Sequence, residues 1–210
     1  MVFYVHLFFK TKQLNFLAHL YLSENKTNIL IGNFIADHIP GNNYTHFHPE
    51  IQKGILLHRE IDTFTDAHPI VRKSKRRLHP RYRHYKGVII DIFYDHYLAK
   101  NWANYSAIPL ANFAQDFYNL LNDNFEILPK KTQHLLPYMI EYNWLYNYQF
   151  FEGIEKVLNG MNNRTKQKSQ MHLAIEDLKS LDSEFEEDFT VFFEDLRNFS
   201  NQKLKELNQT

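Results

Sequence analysis

In HREIDTFTDAHP, residues 58–69, His58, Asp62 and Asp66 recur at intervals of four. On a helix, residues four apart share a face with roughly 5–6 Å between Cβ atoms, so an imidazole and two carboxylates would form a row suited to a cation. A second row lies in GVIIDIFYDHYLAKNW, residues 87–102, where Asp91 and Asp95 are four apart and His96 follows directly. Val88, Ile89, Ile90, Ile92, Phe93 and Leu98 make this second helix apolar almost all round, which places it centrally. Carboxylates buried there are costly unless a cation or hydrogen bonds compensate them. Asp37, at the end of the apolar GNFIAD segment, is a third contributor. His19, in NFLAHL, is a fourth, although a single histidine on an apolar helix more commonly serves the core. Hard carboxylate oxygens mixed with imidazole nitrogens suit Mn²⁺, Fe²⁺, Mg²⁺ or Zn²⁺.

Composition narrows the alternatives. The 210 residues include no cysteine, which removes disulfides, thiolate metal sites and cysteine nucleophiles, and suits a reducing, cytoplasmic setting. Twelve histidines leave an N/O-ligand metal site as the chemistry to look for. Basic and acidic residues balance at 24 each, so bulk charge gives no reason to expect nucleic acid as a partner. No stretch approaches the ~20 consecutive apolar residues of a membrane span. A glycine-rich phosphate loop, a GxSxG elbow, an HExxH pair and a dinucleotide fingerprint are all missing from the sequence.

The elements that must position these residues read as helices. Only 6 glycines and 7 prolines interrupt the chain, and apolar residues recur at three and four rather than at two. The expected helices cover Asn15 to Leu22, Ile29 to His38 and Pro49 to Asp66, followed by a basic helix opened by Pro69. Tyr85 to Asn101, Pro109 to Asn122, Pro129 to Gly153 and Gln167 to Leu207 complete an all-α, single-domain bundle with several breaks.

Residues 72–86, RKSKRRLHPRYRHYK, carry eight Lys or Arg and no acid. Such a run is ordinarily a solvated face. In a chain of zero net charge that also carries an acid-rich stretch at 176–195, it equally makes a docking surface for an anionic partner or phosphate.

Taken in order, NFLAHLYLS, GNFIAD, GILLHREIDTFTDAHP, GVIIDIFYDHYLAKNW and VLNGMNNR resemble the acyl carrier protein phosphodiesterase family over Asn15 to about Leu207. Residues 1–14 read as an N-terminal extension ahead of the domain at 15–207. The resemblance implies an HD-domain-like helical fold and a Mn²⁺-preferring hydrolase that releases 4′-phosphopantetheine from holo acyl carrier protein. It further implies a metal held by Asp37, His58, Asp95 and His96. Asp62, Asp66, Asp91 and His19 would then serve catalysis, with Arg59, Arg76, Arg77, Arg81 and Arg164 on the substrate. Two other readings of the residues remain at this point: a phosphohydrolase of nucleotides or other small phosphoesters, and an inactive helical module binding an anionic partner.

Overall fold

Three His-Pro pairs punctuate the chain, at His48-Pro49, His68-Pro69 and His79-Pro80. Each proline takes a first helical position, where its missing N–H costs nothing. Each histidine Nδ1 accepts a free backbone N–H of the new turn, from Glu50, Ile70 and Arg81 in order. A quarter of the histidines that enrich the composition are thus helix starts rather than ligands.

The computed structural model describes residues 16–24 and 26–209, which leaves the proposed extension at 1–14 outside the described residues. Eleven α-helices, and no strand, occur among them. The first five are α1 (Phe16–Tyr21), α2 (Thr27–Ile35), α3 (Pro49–Ala67), α4 (Pro69–Arg77) and α5 (Lys86–Lys100). They are followed by α6 (Leu110–Asp123), α7 (Lys130–Glu141), α8 (Trp144–Asn147), α9 (Phe151–Arg164), α10 (Ala174–Ser180) and α11 (Asp182–Gln209).

The expected helix over 129–153 is three elements, because Asn143 takes a left-handed conformation (φ 42°) between α7 and α8 and Phe150 is extended ahead of α9. The expected 167–207 element likewise breaks, with Gln167 and Gln170 at positive φ before α10. The helix expected to run to His38 ends at Ile35 and tightens into a 3₁₀ turn, Ala36–His38.

α5 is the central element: every residue from Ile89 to Ala99 is buried. Its Phe93 and Tyr94 meet Phe185 and Phe189 of α11 with ring centroids 5.2 and 5.7 Å apart. The basic helix α4 is fastened to α11 by one buried carboxylate. Asp188 accepts hydrogen bonds from Lys73, Ser74 and Arg77 at 2.7, 2.8 and 2.9 Å.

The contact that matters most for the site is between α2 and α3, which cross at Gly32 and Gly54. A Cβ on Gly32 would overlap the Ile51 carbonyl, and one on Gly54 would overlap the Ile29 carbonyl and the Asn33 nitrogen. Only hydrogen fits at either position, so the two backbones touch. Beside this crossing, Asn33 and Asp37 are brought against His58 and Asp62.

Candidate metal centre

His58 and Asp62 stand one turn apart on α3, so the four-residue spacing places them on one face as the sequence implies. His19 reaches them from α1, and Asp37 from the turn after α2. His19 Nε2 lies 3.4 Å from Asp62 Oδ1, and His58 Nε2 lies 3.3 Å from Asp62 Oδ2. Asp37 Oδ1 is 3.4 Å from the same His58 nitrogen. The two imidazoles stack, with centroids 4.0 Å apart. One donor atom from each of His19, His58 and Asp62 lies within 4.8 Å of the others, the spacing of a group able to hold a metal ion. Both histidine side chains are almost fully buried, whereas Asp62 keeps 21% of its side-chain surface and is the most exposed member of the group.

The far nitrogens of both rings are occupied: Nδ1 of His19 and of His58 lie 2.8 and 3.1 Å from Asn33 Oδ1. Their Nε2 atoms are buried without a hydrogen bond and face carboxylates. Nitrogen and oxygen donors that converge in this way fit a divalent cation, so the residues present suit the metal that the sequence implies.

Charge in the cluster is strongly coupled. Burial acts against a charge on His58, but Asp37 and Asp62 outweigh it and raise its pKa to about 10. Burial, reinforced by His58, lowers the pKa of His19. Asp62 is partly desolvated, yet His19 and His58 hold its carboxyl well below the usual carboxylate range. At neutral pH, then, His19 offers a lone pair and Asp62 is ionised.

Asp95 and His96, expected as ligands, are directed elsewhere. Neighbours on a helix point about 100° apart, and this pair faces two different partners. Both Asp95 oxygens accept backbone N–H groups at the start of α1, from Leu17 at 2.9 Å and Ala18 at 2.8 Å. His96 Nδ1 is 2.7 Å from the Tyr148 carbonyl, and its ring stacks on Phe151. Asp91 is buried on α5, and the group that gathers around His58 does not include it. Asp66 lies eight residues along α3 from His58, by which point the face has turned about 80°. It is 71% exposed and pairs with Lys75.

The arginines divide similarly. Arg59 holds the loop after Asp37, donating to the Ile39 and Gly41 carbonyls beneath the Tyr44 ring. Arg164 is half-buried, with Nη1 3.3 Å from Met161 Sδ. Arg77 is committed to Asp188, whereas Arg76 and Arg81 are exposed. The residue that sequence reasoning passed over is Asn33, fully buried on an apolar helix. Such an amide must find partners, and that requirement was the available signal.

Fold and site together define an all-helical protein with a buried histidine–aspartate group able to hold a metal ion. Comparison with known proteins narrows this class. The family model for acyl carrier protein phosphodiesterase matches residues 14–196, and the chain belongs to that family of hydrolases. It is 32% identical over 181 residues to the acyl carrier protein phosphodiesterases of Salmonella paratyphi A and Salmonella agona, covering 86% of this chain and 94% of each relative. No solved structure matches the chain significantly. No helix among the described residues is long and apolar enough to cross a membrane.

Proposed function

We propose that the chain hydrolyses the phosphodiester between 4′-phosphopantetheine and the serine of holo acyl carrier protein, at a divalent-metal site formed by His19, His58, Asp62 and Asp37. The observation that carries this reading is the pair of buried imidazole Nε2 atoms that face carboxylates without a hydrogen bond. A bound divalent ion, with Mn²⁺ the expected species, supplies Lewis acidity toward the phosphoryl group and makes water more acidic.

The chain's own residues then set the geometry. Asp62 remains ionised because both histidines hold its pKa down, so it acts as an anionic ligand and not as a proton donor. His19, kept neutral by burial, presents a lone pair rather than a proton. His19 is thus read as a ligand, where the resemblance implies a catalytic role. Arg59 keeps the loop carrying Ile39 and Gly41 against α3, next to His58. Arg76 and Arg81, exposed on and just after α4, supply the positive surface for an acidic carrier protein.

The test is mass spectrometry of holo carrier protein incubated with the chain and Mn²⁺. Loss of the phosphopantetheine mass is expected with wild type, and no loss with His58→Ala. His96→Ala should retain turnover in proportion to its folded fraction. Full activity of His58→Ala would refute the assignment.

A further inference from the structure

Each histidine of the candidate centre has two ring nitrogens, and only one of them faces the carboxylates. Which nitrogen carries the proton decides whether the other can serve as a donor to a cation. The answer lies in the buried amide of Asn33. Asn33 Nδ2 is 2.9 Å from the backbone carbonyl of His19, an atom that can only accept. The amide nitrogen is therefore the atom on that side, and Oδ1 is the atom facing the two rings. Ser23 completes the arrangement: its Oγ donates to the same His19 carbonyl at 2.9 Å and accepts from Asn33 Nδ2 at 3.0 Å. Asn33 Oδ1, an acceptor, meets Nδ1 of His19 and Nδ1 of His58. Both Nδ1 atoms must donate, so both Nε2 atoms are left facing Asp62.

We infer that Asn33 is a positioning residue that fixes the ring orientation of both histidines at once, and the tautomer of His19, through the two lone pairs of one carbonyl oxygen. The inference rests on the reading of His19 and His58 as metal ligands. Histidine ligands generally have the second nitrogen held by a carboxylate, a carbonyl or water, one partner to each ring. Here a single side chain serves two rings, and its own orientation is fixed by the backbone of one of the residues it orients. The Gly32–Gly54 crossing places Asn33 there, since the next residue after Gly32 is carried directly against α3.

The experiment uses the full chain labelled with ¹⁵N at histidine. In metal-free wild type, long-range proton–nitrogen spectra should show His19 protonated at Nδ1. A His19 protonated at Nε2 instead would overturn the inference without any variant being made. Mn²⁺ affinity, read from the free-ion electron paramagnetic resonance signal, should fall about 10- to 100-fold in Asn33→Ala. In the same variant His19 should become a mixture of tautomers. Ser23→Ala removes two neighbouring hydrogen bonds of the network but leaves Oδ1 on both rings, so it should lose stability while keeping its Mn²⁺ affinity. Equal affinity in Asn33→Ala and wild type would refute the role, as would an equal loss in Ser23→Ala. Wild type that takes up no Mn²⁺ at all would instead refute the metal reading on which the inference rests.

Discussion

Replacing Asp95 with alanine separates two roles that the sequence cannot separate. Its carboxylate accepts the Leu17 and Ala18 N–H groups, which lie in the first turn of α1 and have no partner within the helix. Leu17 is fully buried and Ala18 nearly so, so water cannot replace the lost acceptor. Each orphaned N–H costs about 1–3 kcal/mol, or about 2–6 kcal/mol for the pair. Relief from burying the carboxylate, whose pKa burial raises to about 8, offsets part of this. The net loss should lie in the lower half of that range, about 2–4 kcal/mol. For a chain of this size, that corresponds to a fall in Tm of roughly 4–16 °C. Urea titration followed by circular dichroism measures the loss. Because Asp95 caps α1 and is not grouped with His58, Mn²⁺ at about 100 times Kd should still add about 2.7 kcal/mol to the folded variant, as it does to wild type. A variant of undiminished stability that Mn²⁺ no longer stabilises would refute the capping argument and restore Asp95 as a ligand.

Two further outcomes follow from the α4–α11 junction. Burial opposes the charge on Asp188, but Arg77, Lys73 and Ser74 hold its carboxyl below the ordinary value of 3.8. A depressed folded pKa gives stability that is present above the unfolded value and lost as pH falls through the folded one. Asp188→Asn should therefore lose less stability than wild type as pH falls below about 5 in urea titrations, and an identical acid slope would refute this. Arg76→Glu with Arg81→Glu should raise KM for holo carrier protein several-fold, with the effect shrinking in high salt and the fold intact. Arg77→Glu should instead cost about 3–5 kcal/mol, because it sets an acid against a buried carboxylate. A steady-state assay and a thermal melt of each variant distinguish the two cases.

Much of this architecture is legible in residue order because it depends on local rules. The His58–Asp62 pair can be read from spacing alone, since one helical turn is all that separates them. Asp66 continues the same arithmetic but fails in space, because each step of four overshoots a full turn by about 40° and two steps leave the face. Asp95 and His96 read as a ligand pair in sequence, whereas in space they face different partners, the start of α1 and the Tyr148 carbonyl. The apolar run around them does place α5 at the centre, but what a buried carboxylate meets there depends on α1, far away in sequence. Asn33 escapes a search for ligands because an amide binds no proton at neutral pH and is a poor metal donor. Histidine abundance pointed partly at a metal and partly at something simpler, the three His-Pro helix starts.

Under the proposed metal reading, the glycine crossing of α2 and α3 would bear on which ions the site accepts. Where main chain rests on main chain, the distance between the two helices is a hard contact, with no rotamer between them to lengthen or shorten it. Asp37 on one side and His58 with Asp62 on the other are therefore held at a nearly constant gap. A small cation wants contacts of about 2.0–2.1 Å, and a larger one about 2.3–2.6 Å. If the site holds a metal as proposed, the difference would fall to rotation of the Asp62 carboxylate, the partly exposed member of the group. Discrimination by ionic radius would then belong to the meeting of two glycines, neither of which is a ligand.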